Sequence, residues 1–270
     1  MKIIETNLYS LSENDSNTQI INADWSREYG LLVVLKNDDE YKILVNDCPI
    51  YPEFEIDYPL ARWIDDQRII LVNPINELNI HNAFIINRTG EIQGSFNCGD
   101  CIKDVSPSSN GIWVSYYDEG VFGEGISTEG LVHLDLNGEP TFKFNSELRN
   151  KIEIDDCYAI NGDAGNRLWL CPYPEFELVY MEGSKVTSTY NIPKKLYGSN
   201  AISIREGNAF FYSPYDAEDE VYTWNYKKKK EPLKIGKLKS ERVRGLGSKG
   251  KGLFIGFDSS NITLFDVESI

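Results

Sequence analysis

A chain of 270 residues suits one large domain or two small ones, and 41% hydrophobic side chains with 12% aromatics supply enough apolar material for a packed core, which argues against disorder. Forty-two acidic against 27 basic side chains leave a formal charge of −15, a field that repels phosphate backbones, excludes free nucleic acid as a ligand and attracts cationic partners. No stretch approaches the roughly 20 apolar residues of a membrane span, the start Met1-Lys2-Ile3-Ile4-Glu5 has no signal-like apolar core, and five scattered cysteines fit a reducing compartment better than a disulfide framework, so a cytoplasmic protein without membrane or cofactor is expected.

The chain opens on a strand-like run, Lys2–Leu8, that has no partner nearby in sequence. Beyond it the sequence repeats. Asp100-Cys101 followed by Trp113 has the same spacing as Asp156-Cys157 followed by Trp169, and Trp113-Val-Ser-Tyr-Tyr117-Asp118 aligns with Trp169-Leu-Cys-Pro-Tyr173-Pro174 and with Phe211-Tyr-Ser-Pro-Tyr215-Asp216. A worn copy, Leu253-Phe-Ile-Gly-Phe257-Asp258, follows near the end. About twenty residues after each such run comes a turn signal such as Asn87-Arg-Thr-Gly90-Glu91 or Asp135-Leu-Asn-Gly138-Glu139, in which glycine supplies the positive φ of a tight hairpin. A unit of about 45 residues lies in the propeller range.

These units predict an all-β chain, one domain over residues 1–270, forming a β-propeller of six four-stranded blades. Blades are placed near residues 19–58, 59–98, 99–149, 150–194 and 195–238. Residues 239–270 offer only three strands, Val243–Gly247, Leu253–Phe257 and Ile262–Val267, so the N-terminal strand is expected to complete the last blade and close the ring. One short helical turn is expected at Ser146–Lys151.

With strands a to d counted from the channel outward, the d-to-a connections and b-to-c loops share one face, here the top. Asp100, Asp156 and Asn200 open a strands there, and Asp118, Asp216 and Asp258 close b strands. Such oxygens suit a divalent ion or, equally, the capping of turns through backbone amides; the repetition favours capping. The glycine-rich run Asp118-Glu119-Gly-Val-Phe122-Gly-Glu-Gly-Ile-Ser-Thr-Glu-Gly130 fits a loop held close to a ligand, or one folded over the channel mouth with Phe122 as a plug. Tyr116, Tyr117, Tyr158, Trp169, Tyr173, Phe176 and Tyr215 cluster toward the top, and Glu175 lies beside Phe176. The run Trp113 to Gly123, with Asp156-Cys-Tyr-Ala159 and Trp169, resembles the core motifs of uncharacterised bacterial six-bladed propeller-like proteins over residues 95–185; the resemblance implies the fold and carries no activity with it.

Cys98-Gly-Asp-Cys101 lacks the second pair that a closed zinc site needs, so no metal site is assigned to it. His133 falls in a c strand, where a satisfied core role is usual, and Lys227–Lys230 falls at a c-to-d turn on the bottom. No nucleophile elbow, phosphate loop or zincin helix occurs. The expectation is a monomeric, non-enzymatic protein that binds a basic protein through Asp100, Asp118, Glu119, Phe122, Asp156, Tyr158, Glu175 and Phe176. Its most specific form is an immunity or inhibitor protein covering the active site of a basic toxin. The alternative is a divalent-metal propeller hydrolase or lactonase with Asp100, Asp118 and Asp156 as ligands.

Overall fold

The computed structural model describes residues 1–12, 17–38, 40–78, 80–148, 151–163, 165–205, 207–247 and 252–268. Strand β1 spans Lys2–Ser10. Blade 1 is β2 (Thr18–Ser26), β3 (Gly30–Asn37), β4 (Glu40–Val45) and β5 (Cys48–Ile50); blade 2 is β6 (Leu60–Trp63), β7 (Arg68–Val72), β8 (Ala83–Asn87) and β9 (Ile92–Phe96). Blade 3 is β10 (Ile102–Ser108), β11 (Gly111–Tyr116), β12 (Leu131–Leu134) and β13 (Pro140–Lys143); blade 4 is β14 (Asp156–Gly162), β15 (Arg167–Tyr173), β16 (Glu177–Glu182) and β17 (Lys185–Asn191). Blade 5 is β18 (Ala201–Arg205), β19 (Asn208–Tyr212), β20 (Glu220–Trp224) and β21 (Leu233–Lys237), and blade 6 is β22 (Arg242–Leu246), β23 (Gly252–Phe257) and β24 (Asn261–Glu268) with β1 as its outermost strand. All six sheets are antiparallel, as expected from the repeats. The helical turn lies at Phe144–Leu148, slightly before its expected place, and residues 149 and 150 of that expectation fall outside the described residues.

Hairpin chemistry sets the outer strands. Asn87 Oδ1 accepts from the Thr89 and Glu91 amides, and Asp135 Oδ1 accepts from those of Asn137 and Glu139, with Gly90 at φ +90° and Gly138 at +88°. Both turns are therefore the same Asx-Gly device, as the sequence signal implies.

Each pair of neighbouring blades shares its own apolar core, and six such cores run round the ring. The one that joins the last blade to the first packs Leu253, Ile255, Phe257 and Ile262 against Ile20, Ala23, Val33 and Leu35, with Leu8 and Tyr9 of β1 beside them. Strand β1 runs along β24 from Lys2↔Glu268 to Ser10↔Asn261.

Two features of the repeat are corrected by the register. Trp113 pairs with Ser106 and Trp169 with Asn161, but the hairpin after β14 is one residue longer than that after β10. The equal linear spacing therefore hides a shift. Cys157 takes the place of Ile102, and Asp156 the place of Cys101 rather than Asp100. Likewise Phe211 does not take the place of the tryptophans. Trp113 and Trp169 face the following blade, whereas Phe211 faces the preceding one and Phe210 and Tyr212 face forward. A one-residue slip in a strand exchanges its faces.

Charge pairs link the innermost strands of neighbouring blades. Arg62, fully buried, donates to Asn22 Oδ1 (2.9 Å), to the Ala61 carbonyl (2.8 Å) and to Asp104 (2.5 Å), while Arg244 bonds Asp24. These pairs join the innermost strands of blades 6, 1, 2 and 3.

Deleting residues 2–10 is expected to lower stability by several kcal/mol, by exposing the edge of β24 and the apolar side chains of the closing core; an unchanged melting temperature would contradict closure by β1. Trp113→Ala should destabilise by about 3–5 kcal/mol. Trp169→Ala should cost less, because its indole is only half-buried against Tyr180, Tyr190 and Tyr226. Chemical denaturation of the two variants side by side checks the order.

Candidate functional site

The top of blade 3 is built by the glycine-rich b-to-c loop. It folds into a helical turn at Asp118–Val121 and a 3-10 turn at Gly125–Glu129, anchored from below. Ser127 Oγ accepts from the Asp100 amide (2.8 Å) and donates to the Asp100 carbonyl (2.9 Å), and Glu129 accepts from the Ser146 amide and hydroxyl. Gly120 lies against Asp100, where an added Cβ would stand 2.8 Å from the Asp100 carbonyl oxygen, so this position requires glycine. The glycines thus serve packing of loop on loop. Phe122 ends the helical turn and is 72% exposed, so it does not plug the channel.

Asp100 has a structural task. Its Oδ1 accepts from the Asn76 amide (2.6 Å) and the Cys101 amide (2.7 Å), joining its own connection to the b-to-c loop of blade 2. Asn76, buried, then brackets that loop through the Ile80 carbonyl and amide. The loop held this way presents Ile75, Leu78 and Ile80, at 57–80% exposure, to solvent.

Asp156 is the electrostatic centre of the face. One of its carboxylate oxygens, Oδ1, is buried without a hydrogen-bond partner. Burial pushes its carboxyl up to about 6; the Lys103 ammonium opposes this, and the Asp118 and Glu119 carboxylates beside it add to it. Lys103 is the extra residue of a bulge in β10, and Tyr158 is the extra residue of the matching bulge in β14; such bulges re-aim side chains. Lys103 lies 4.4 Å from the centre of the Tyr117 ring.

Tyr158 begins an aromatic cluster that bridges blades 4 and 5. Its ring meets Tyr173, Phe176 and Tyr215 edge-on or stacked at 5.7–6.1 Å, and its hydroxyl bonds that of Tyr215. Burial, and then the Tyr215 hydroxyl, push the Tyr158 phenol upward, so it stays protonated. Phe176, with φ +48°, stacks flat on Tyr197 at 3.9 Å and is half-buried. It braces the cluster, while Tyr173 and Tyr215 form the exposed surface. Glu175 is exposed beside them.

The structure therefore brings together Asp118, Glu119, Phe122, Asp156 and Tyr158, with Lys103, Tyr117 and Tyr215 that sequence reasoning did not single out as site residues. Asp100 is spent on backbone amides. Among the described residues no three His, Cys, Asp or Glu side chains converge as metal ligands. Cys98 is buried, with its thiol pushed well up by burial. His133 is a core residue, its Nδ1 2.5 Å from Thr141 Oγ1 and its Nε2 2.9 Å from Ser108 Oγ. Lys227–Lys230 are exposed at the opposite end of blade 5. The apolar loop of blade 2 was also missed, although Pro74-Ile-Asn-Glu-Leu78 interleaves apolar and polar residues in a long b-to-c connection.

No family model and no curated protein matches the sequence. Solved structures do. The chain is similar to the virginiamycin B lyase of Staphylococcus aureus, with 10% identity, a TM-score of 0.59 and 99% of each chain covered. It is similar also to the AfRom2 CNH domain (8%, 0.57, 98% of this chain and 96% of that one) and to a glucose dehydrogenase (8%, 0.54, 99% and 100%). At such identities the likeness shows the propeller fold alone. Among the described residues no helix is long and apolar enough to cross a membrane.

The raised carboxyl of Asp156 has a consequence for stability. The native state holds this proton more tightly than the unfolded chain does, so the associated stability is complete below the ordinary carboxyl value and is lost as pH rises through about 6. Asp156→Asn should leave stability unchanged near pH 4 and raise it at pH 8 by on the order of 1 kcal/mol, solvent screening reducing the effect at this partly exposed group. Melting curves of both proteins across that range check it; a difference that stays flat with pH would show an ordinary solvated carboxylate.

Proposed function

We propose that this protein is a non-enzymatic binding propeller whose top face receives a basic protein. The observation that carries this reading is where the exposed apolar side chains lie. Of the twelve large hydrophobics exposed among the described residues, nine sit on top-face connections or strand ends: Tyr51, Tyr58, Ile75, Leu78, Ile80, Tyr117, Phe122, Tyr173 and Tyr215. The other three, Met1, Ile92 and Leu233, are scattered. Apolar area gathered on one face marks an interaction surface, and aromatic rings are the groups interfaces favour.

Charge supports a cationic partner. The Asp118 and Glu119 carboxylates and the Lys103 ammonium all act on Asp156, on a chain carrying −15 overall. In its most specific form the proposal is an inhibitor or immunity protein that covers the active site of a basic toxin, carboxylates taking the place of phosphate. No ligand set for a catalytic divalent ion forms at Asp100, Asp118 and Asp156, so the hydrolase alternative gains no support from the geometry.

The test is affinity capture of the partner, followed by binding kinetics at two salt concentrations. Phe122→Ala should raise the off-rate about tenfold, as loss of an exposed aromatic anchor does. Asp118→Asn with Glu119→Gln should instead slow association several-fold and flatten its salt dependence. Neutralising Lys227–Lys230 is the control; loss of binding in that variant alone would put the partner on the bottom face and overturn the proposal.

A further inference from the structure

A separate site lies at the outer rim of the top face, between blades 1 and 2. The connection from β5 to β6 and the end of the β3–β4 hairpin enclose a cleft of about 730 Å³, within the size range of ligand pockets. Tyr41, Tyr51, Pro52 and Phe54 wall it, and Glu40, Glu55 and Asp57 supply carboxylates. Among the described residues neither Glu40 nor Glu55 has an ion-pair partner.

The cleft already holds a cation. The ammonium of Lys36 lies 4.4 Å from the centre of the Tyr58 ring and 5.2 Å from that of Tyr41. The Tyr41 ring is held by its hydroxyl: Tyr41 Oη donates to Asp57 Oδ1 (3.1 Å) and accepts from the Tyr58 amide (3.0 Å), and Asn73 Oδ1 accepts from the Asp57 amide (3.0 Å). Tyr58 adopts φ +44°, a backbone conformation uncommon for a bulky residue, and that turns it toward the lysine. Aromatic faces attract a cation through their quadrupole, and the carboxylates of Glu40 and Glu55 line the same cleft.

We infer that this cleft is a binding site for a lysine side chain supplied from outside, with Lys36 as the built-in occupant that an incoming ammonium displaces. The chemistry of the ligand is read from the occupant: a primary ammonium on a flexible alkyl stem, laid across Tyr58 and Tyr41 and facing Glu40 and Glu55. The space beyond Lys36, walled by Tyr51 and Phe54, takes the stem and adjoining backbone. The site shares Tyr51 and Tyr58 with the exposed side chains counted on the top face but uses none of Phe122, Asp118, Glu119 or Asp156, so variants at those four residues leave its test unaffected.

An occupied site lowers apparent affinity by the fraction of time it is free, so removing the occupant should tighten binding. The probe is N-acetyl-lysine methylamide, titrated into the full chain and followed by amide NMR shifts of Tyr41, Tyr51 and Asn73, at constant ionic strength. Wild-type protein should bind weakly and Lys36→Met about tenfold more tightly. Adding Glu55→Gln or Tyr58→Leu to Lys36→Met should remove that gain, and the probe acetylated on its side-chain nitrogen should not bind. Dispersed spectra show that each variant is folded. Equal affinity in wild type and Lys36→Met, or equal binding of the acetylated probe, would overturn the site, and tighter binding of choline than of the lysine probe in Lys36→Met would overturn the assignment to lysine.

Discussion

The pairing of β1 with β24 fixes the geometry of every loop on the top face. A ring of six sheets has no slack: each blade is held only by the cores on either side, and removing one core opens the whole. Here the closing core draws on both ends of the described chain, with Leu8 and Tyr9 from β1 and Ile262 from β24 packing on the same Ile20, Val33 and Leu35 of blade 1. The β1 strand shifts register between Asn7 and Tyr9, and the chain then turns in so that the Leu11 amide donates to the Ser260 carbonyl. The entry into blade 1 and the last b-to-c loop are thereby joined. Closing the ring with hydrogen bonds between chain segments far apart in sequence removes the exposed sheet edge that would otherwise invite pairing with other chains.

Inside that ring the polar and apolar tasks are separated by radius. Between the sheets the packing is aliphatic and aromatic, whereas the innermost strands carry the ion pairs Arg62–Asp104 and Arg244–Asp24. Burial and the neighbouring Arg244 depress the Arg62 guanidinium, while Asp104 and Asp24 hold it charged. Pairs of this kind add little net stability compared with apolar packing, but breaking one partner leaves a buried charge, so they specify which blades stand side by side at their innermost strands. At the end of β14 and just beyond β22 the chains approach so closely that an added Cβ on Gly247 would overlap the Gly162 carbonyl.

The blades were legible because hairpin turns repeat their chemistry wherever the backbone must reverse: Asn87 and Asp135 announce the same turn in sequence and make the same bonds. Closure was legible for a counting reason, three strands at one end and one at the other. Register was not. Equal spacing from Asp-Cys to Trp in blades 3 and 4 looked like equivalence, yet hairpins of unequal length place Asp156 opposite Tyr173 and leave Asp100 in the preceding connection, a difference that only cross-strand pairing reveals. Phe211 failed for the same reason, since in a strand buried on both faces every residue is apolar and the pattern carries no phase. Of the candidate site, Phe122, Asp118 and Glu119 were found through their glycine-rich loop. Lys103 was not, because a bulge residue has no signature in one sequence, and Ile75, Leu78 and Ile80 were not, because apolar residues in a loop read as core until their exposure is known.

The two aromatic surfaces on the top differ in how far they are already satisfied, and the difference bears on what each can bind. Around Tyr158 the rings meet one another edge to face, with Phe176 and Tyr197 stacked beneath, so the cluster is preorganised and offers its exposed Tyr173 and Tyr215 at little further ordering cost. The loop of blade 2 is similar in kind: Asn76 and Asp100 hold its backbone while its apolar side chains remain in water. Such surfaces favour a partner that covers them broadly, and carboxylates at their margin then act on the speed and selectivity of approach more than on the strength of the complex. The cleft of blade 1 is the reverse case. Its rings already carry an ammonium, its contact is electrostatic and directional, and any ligand must compete with Lys36 for the same two faces.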